Sequence, residues 1–242
     1  MKGDKVSESE RWRYDVSFFC PAYFDEGNIE GVVQKALDVL SSQARRFEII
    51  IVNDGSPDGT GEVAEHLASE HQNVRVIHHP QNRGYGEALK TGLGAASYEV
   101  VAFADGDDQY DPRDLARMLP LLQEHDAVIG YRLNLPNSCL RNLLSKLYNM
   151  AMRWLFDVPY RDLSCSLKVF KKKAVDRIPI RGSGIFTQAE IVLRFHRAGF
   201  RVAQVGIPAH PRLHGRSSSI TWRNFLILVK EALLLWRELY LS

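Results

Sequence analysis

A chain of 242 residues with 45% apolar content has room for one large domain and an ample core. Its net charge of +2 conceals a split: residues 1–131 carry 12 Lys/Arg and 23 Asp/Glu, whereas residues 132–242 carry 19 and 6. The acidic front suits metal chemistry and the basic back suits an anionic partner, a membrane face or plain solvation; no run of about 18 apolar residues could cross a bilayer, and no nucleic-acid module or aromatic ladder is visible. Cys20, Cys139 and Cys165 lack metal-ligand spacing and read as reduced thiols of a cytosolic protein. The polar start, MKGDKVSESERWR, predicts a tail over 1–13 and no cleaved leader.

In chain order, Asp15–Cys20 reads as a strand ending in Pro21-Ala22-Tyr23-Phe24-Asp25. Asn28 is placed to cap a helix whose Val32, Val33, Ala36, Leu37 and Leu40 recur at helical spacing. Phe47–Val52 is a nearly continuous apolar strand, as expected for a sheet covered on both faces, and stops at the turn cluster Asn53-Asp54-Gly55-Ser56-Pro57-Asp58-Gly59. A helix to about 71, a strand over Val74–Ile77 and a helix from NRGYGEAL to about 96 follow. The apolar run 98–104 halts at Asp105-Gly106-Asp107-Asp108-Gln109, ahead of a helix expected over 114–124 and a short strand at 127–130. This alternation predicts an α/β fold, a doubly wound, mainly parallel sheet with helices on both faces and polar loops at the carboxyl ends of the strands.

Beyond Arg132 the pattern changes. A helix is expected at 138–156, a strand at 163–170, a helix at 187–198 and a strand at 201–207. The basic loop His210-Pro211-Arg212-Leu213-His214-Gly215-Arg216-Ser217-Ser218 leads into a C-terminal amphipathic helix near 221–241, where Arg223, Lys230 and Arg237 share one side. A wide apolar face with basic and aromatic flanks suits a membrane interface; packing on the protein's own sheet or on a second copy is the alternative.

Three carboxylates within four positions at a strand's end repel one another, a tolerable arrangement when a hard divalent cation sits among them. Gly106 is expected to let a diphosphate approach the backbone. The plainer reading is an acidic turn before a helix capped by Asp111 with Pro112 at its first position. Three polar loops on one crevice edge favour a nucleoside-diphosphate site over chance turns. A dinucleotide fold argued from Gly84-x-Gly86 fails, because Leu89 stands where a third glycine belongs and the pair follows the third strand.

The pieces PAYFDEGNI, IIIVNDGSPDGT, NRGYGEAL, FADGDDQYDP, GYR at 130–132 and RLHGRS at 212–217 together resemble the family 2 glycosyltransferases of GT-A fold, and among them the dolichyl- or polyprenyl-phosphate sugar synthases. The resemblance implies a catalytic domain over 14–218, with a donor and metal half at 14–131, an acceptor half at 132–218, and an amphipathic helix at 219–242. It implies that Pro21, Tyr23, Asp25, Val52 and Asp54 line the nucleoside pocket, with Gly106 beside the diphosphate. Asp105, Asp107 and Gln109 would hold Mg²⁺ or Mn²⁺, Arg132 and Arg212 would contact phosphates, and Asp162 would be the acceptor-side acid. The expected partners are a nucleotide-sugar and a polyprenyl phosphate, at the cytoplasmic face of a membrane to which the protein binds peripherally. Asp25 replaces the usual Glu, Asn53 an Asp, Ser166-Leu167-Lys168 the usual Gly-Phe-Arg, and Ser218 a common Lys. An ionised phosphate acceptor needs cationic positioning, for which Lys168, Arg212 and Arg216 are candidates. A hydroxyl acceptor would need a base, for which Asp162 is the candidate, and a non-catalytic nucleotide-sugar-binding relative is the remaining alternative.

Overall fold

The structure, a computed structural model, describes residues 14–134, 139–212, 214 and 222–241. Among these, seven strands form one sheet: β1 (Asp15–Ala22), β2 (Arg46–Asn53), β3 (Val74–His78), β4 (Val100–Phe103), β5 (Ala127–Arg132), β6 (Lys168–Lys171) and β7 (Val202–Ile207), in the order β3-β2-β1-β4-β6-β5-β7. Pairs β1–β2, β1–β4, β2–β3 and β5–β7 are parallel, as the alternation predicts. The exception is β6, antiparallel to both β4 and β5. Its first residue, Lys168, faces Phe103 at the end of β4, so the reversed strand delivers the loop before it, 162–167, to the carboxyl edge where the polar loops gather.

Alternation within β1 explains the layers. Val16, Phe18 and Cys20 point to one core, shared with α1 (Ile29–Gln43) and α2 (Thr60–Glu70). Phe19 points to the other, where α3 (Tyr85–Ala95) and later α7 (Thr187–Arg197) cover it. Phe19, Phe103, Phe170 and Phe195 form a ladder of rings across that second core, with centroids 5.0–6.2 Å apart. The helix α1 buries Ile29, Val32, Val33, Ala36, Val39 and Leu40, the apolar stripe its spacing requires.

Three local expectations are corrected. The segment expected as one helix at 114–124 is a 3₁₀ turn (Pro112–Asp114), a single turn α4 (Leu115–Met118) and a second 3₁₀ turn (Leu119–Gln123), since Pro120 lacks the N–H a continuing helix needs. Asp111 does cap this element, accepting from the Arg113 N–H at 2.9 Å, with Pro112 behind it. The strand expected at 163–170 shrinks to 168–171, because residues 162–167 are held by side chains rather than by a ladder. Asn28 stands at the N-cap of α1 without capping it; its amide is spent on the backbone of His214 (3.1 and 3.2 Å).

The remaining helices are α5 (Cys139–Phe156), the short α6 (Lys172–Val175) and α8 (Trp222–Leu241). Both long ones fall within a residue of their expected bounds. The last, α8, packs on the body: Ala232 and Leu235 are buried with Met152, Phe156 and Leu193, and the Tyr240 hydroxyl donates to the Phe156 carbonyl at 2.6 Å. Arg194, buried on α7, donates to Glu190 (2.8 Å) and to both oxygens of Glu238 on α8 (3.1 and 2.9 Å).

Candidate functional site

The carboxyl edge of β1, β2 and β4 carries the site. After β4 the chain turns through Asp105–Gln109. The Gly106 N–H donates to the Pro21 carbonyl at 3.0 Å, stitching this loop to the end of β1. A Cβ on Gly106 would lie 3.1 Å from that carbonyl and 3.2 Å from Ile29, so the glycine serves the close approach of the protein's own backbone. Asp108 adopts φ +56 and turns away to bind Lys35 of α1 (2.6 and 2.7 Å). The third carboxylate of the acidic run is therefore neutralised outside the crevice.

Asp105 and Asp107 remain inside. Burial raises the Asp105 carboxyl above its ordinary value, against a hydrogen bond from the Tyr85 hydroxyl at 2.7 Å to Oδ1. Asp107 is pushed up to about 7, first by burial and then by the charges of Asp105 and Asp25. Asp25, buried beneath the β1 loop, is pushed up to about 6 by burial, even though it accepts from the Tyr23 N–H at 2.9 Å. Its own N–H donates to Thr60 (2.9 Å). Next to it Phe24 sits at φ +58, a conformation an aromatic residue adopts only when its neighbours fix it, here with its N–H on Ser56 (2.9 Å).

Arg212 is the cation brought to these acids. Its guanidinium donates to Asp25 Oδ1 at 2.8 Å, lies 3.9 Å from Asp107, and is further fixed by the carbonyls of Phe24 and His214, both at 2.7 Å. Gln109 reinforces the contact: its amide donates to the His210 carbonyl (3.3 Å), and its carbonyl accepts from the His210 N–H (2.9 Å). The front and back halves of the sequence thus meet across the crevice. Arg216 lies outside the described residues.

Pro21 and Val52 face one another across β1–β2 and are buried, while Tyr23 stacks edge-on against Phe24 at 4.7 Å. Asp54 is also buried, but both its oxygens are engaged within the protein: Oδ1 by His79 (2.6 Å) and the Arg83 N–H (2.9 Å), Oδ2 by the Gly84 N–H (2.9 Å). It holds the loop before α3.

Two nominated residues find each other. Arg132 donates to Asp162 Oδ2 at 2.6 Å and Oδ1 at 3.0 Å and continues to Ser145 of α5 (2.8 Å). Burial alone would raise Asp162; the Arg132 pairing holds it below the ordinary carboxylate range. Asn149 and the Ser164 N–H also donate to Asp162 Oδ1 (3.2 and 2.9 Å). Lys168 is fully buried, donates to the carbonyls of Cys165 and Leu163 and to Gln188, and has its pKa lowered by burial. It clamps the 162–167 loop from within and does not reach out toward an acceptor, contrary to the role its charge suggests. Ser166 in that loop accepts from the Asp105 N–H (3.2 Å).

Among the described residues no three His, Cys, Asp or Glu side chains gather into a ready-made metal cage. The donor set instead offers two hard oxygen ligands, Asp105 and Asp107, whose pKa values are raised chiefly by burial and, for Asp107, next by the charges of Asp105 and Asp25. That suits Mg²⁺ or Mn²⁺, which usually takes one or two carboxylates and completes its shell with water and phosphate oxygens. Sequence reasoning did not find Lys35, Tyr85 or His79. The Tyr within NRGYGEAL, at the start of α3, is the one of these with a visible signal.

Comparisons with known proteins place the chain among relatives. Glycosyltransferase AglD of Haloferax volcanii is 30% identical over 236 residues, covering 93% of this chain and 37% of that protein. Dodecaprenyl-phosphate galacturonate synthase of Rhizobium johnstonii is 26% identical (89% of this chain, 64% of that protein), and polyprenol monophosphomannose synthase of Mycolicibacterium smegmatis is 28% identical (77% and 74%). The chain thus spans from little more than a third to about three quarters of the length of these relatives. Glucosyl-3-phosphoglycerate synthase of Mycobacterium tuberculosis, crystallised with Mn²⁺, UDP and glucosyl-3-phosphoglycerate, superposes with a TM-score of 0.71 at 20% identity, over 93% of this chain and 80% of that one, and shares the fold. The sequence profile described as Glycosyl transferase family 2 matches residues 17–178, well over half the length, and the chain belongs to that family.

Proposed function

We propose that the chain is an inverting, metal-dependent glycosyltransferase that moves a sugar from a GDP- or UDP-sugar to a polyprenyl or dolichyl phosphate, working peripherally at the cytoplasmic face of a membrane. The observation that carries the reading is the half-buried Asp105/Asp107 pair at the carboxyl end of β4, with Arg212 3.9 Å from Asp107. Asp105 and Asp107, with Gln109 beside them, would hold the cation; when bound, it would neutralise charge gathering on the departing diphosphate. Arg212 is the residue suited to phosphate oxygens, since it already bridges two of the crevice acids. Tyr23, half-buried, is the residue of this set with surface to offer a nucleoside; Pro21, Asp25 and Val52 are buried and shape the strand ends beside it, and Asp54 contributes by fixing the neighbouring loop.

The acceptor end supports a phosphate over a hydroxyl. Asp162, the carboxylate suited to deprotonate a hydroxyl, is tied to Arg132 through both oxygens and kept acidic, whereas a phosphate acceptor arrives ionised and needs no strong base. Two of the relatives are named as polyprenyl-phosphate sugar synthases. No helix among the described residues is long and apolar enough to cross a membrane. Leu143, Leu147, Met150 and Trp154 nevertheless form one exposed stripe along α5, with Trp154 85% exposed, and Leu233, Leu234 and Leu241 are exposed on α8 beside Lys230 and Arg237. Such faces fit a membrane interface.

The test is a panel of GDP- and UDP-sugars with undecaprenyl or dolichyl phosphate and Mn²⁺, read by mass spectrometry. A glycosylated lipid phosphate is expected. Transfer only to a saccharide hydroxyl, or undiminished turnover in excess chelator, would overturn the acceptor or the metal part of the reading respectively.

A further inference from the structure

We infer that Tyr85 is a positioning residue for Asp105, and that a buried chain of Asp54, His79 and Thr91 sets the loop that carries it. The inference rests on the metal-dependent reading above and concerns how the protein prepares its ligand before any cation arrives.

Tyr85 is the first residue of α3, and its hydroxyl donates to Asp105 Oδ1 at 2.7 Å. A phenol with a pKa of about 10 keeps its proton at neutral pH, so it acts on the carboxylate as a donor. Ser166 holds the main chain of Asp105 through its N–H, and Tyr85 holds the carboxylate itself through Oδ1. Ligand carboxylates are commonly oriented in this way by groups that never touch the metal.

The position of Tyr85 is itself determined. The residue before it, Gly84, has φ +94, a conformation that strains other residues. The N–H groups of Arg83 and Gly84 both donate to Asp54 at 2.9 Å. Asp54 accepts from His79 Nδ1 at 2.6 Å, and His79 Nε2 meets the Thr91 hydroxyl at 2.9 Å, back on α3. Because a carboxylate only accepts, Nδ1 of His79 is the donor to Asp54. One network therefore grips α3 both ahead of its first turn and within its body. A Cβ on Gly86 would come within 2.5 Å of the Ser183 backbone, and the Gly86 N–H donates to the Ser183 carbonyl at 3.0 Å, so the helix start cannot slide. The Tyr85 hydroxyl is delivered to one point in the crevice.

Tyr85→Phe removes one oxygen and keeps the ring. Mn²⁺ retention is measured by electron paramagnetic resonance, in the presence of whichever of GDP or UDP the wild-type chain binds. Tyr85→Phe is expected to weaken Mn²⁺ ten- to hundredfold, with metal-free nucleotide binding and the thermal midpoint unchanged. His79→Gln is expected to weaken Mn²⁺ in the same direction and by less. Retention by Tyr85→Phe within twofold of wild type would overturn the inference, as would a parallel loss of nucleotide binding without metal, which marks a merely structural residue. A wild-type chain that holds no Mn²⁺ with either nucleotide would overturn the metal-dependent reading as well, so the two failures are told apart by the wild-type measurement.

Discussion

Two arginine–carboxylate arrangements in this protein behave in opposite ways. Arg132 and Asp162 form a closed pair: two short bonds between them, Ser145 on the arginine, Asn149 and the Ser164 N–H on the acid. Asp162 is held acidic. Arg212 is instead shared between Asp25 and Asp107, which burial first, and the neighbouring Asp105 charge after it, push up to about 6 and about 7. The first arrangement is balanced and builds the protein. The second leaves negative charge in excess, which is what a cation site requires before it is filled.

Substitutions that unbalance the first or balance the second test this contrast. The largest effect is expected from Asp107→Ala, which should lower kcat on the order of a thousandfold by removing a proposed metal ligand while leaving the circular dichroism spectrum intact. Turnover within tenfold of wild type would remove the acidic pair from the mechanism. Next is Asp162→Ala, which strands Arg132 in a buried site and should destabilise the fold by roughly 3–5 kcal/mol, read as a lower urea midpoint. A midpoint unmoved by this change would show that the pair is not the structural element described here.

A smaller, opposite effect is expected at the open site. In metal-free protein Asp107, at about 7, binds a proton that the unfolded chain, with a carboxyl near 3.8, has already lost. The native state then holds more protons across that interval, so stability falls as pH rises from about 5 toward 7.5. Asp162, shifted the other way, withdraws its contribution only as pH falls below its ordinary range, outside that window. Asp107→Asn should therefore flatten the slope and stabilise the metal-free fold at pH 7.5 by on the order of 2 kcal/mol, while abolishing transfer. A thermal melt series that shows wild type gaining stability between pH 5 and 7.5 would contradict the charge excess.

The same contrast explains what the sequence could reveal. Continuous apolar runs ending in Asp, Asn and Gly clusters located β1, β2 and β4 and the edge where their loops meet, because burial on both faces and turn chemistry are local signals. The bounds of α5 and α8 were equally legible from their spacing, whereas the break that Pro120 imposes within 114–124 was missed. Pairings were not legible. Whether Asp108 faces Lys35 or the crevice depends on one left-handed residue, and Arg132 reaches Asp162 only because β6 runs backwards and returns the 162–167 loop to the edge. The same reversal buries Lys168, which reads in the sequence as a basic residue near a basic loop.

The smallest expected effect lies farthest from the chemistry, on α8, where the partition of charge is again the clue. Glu238 turns inward to Arg194 and Glu231 accepts from the N–H groups of Ser183 and Gly184, while Leu233 and Leu234 stay outside, each 54% exposed. A helix built only to pack on its own protein would do the reverse. Truncation after Ser219 would confuse two questions, because it also removes Ala232, Leu235 and the Glu238 partner of buried Arg194. Replacing Leu233 and Leu234 together by Ser leaves those contacts in place, so stability should change by about 0.5 kcal/mol or less. Half-burying two leucines in lipid is worth roughly 1–2 kcal/mol in all, and sedimentation with anionic vesicles should therefore fall about tenfold. If the doubly substituted chain sediments as the wild type does, α8 presents its leucines to something other than a membrane.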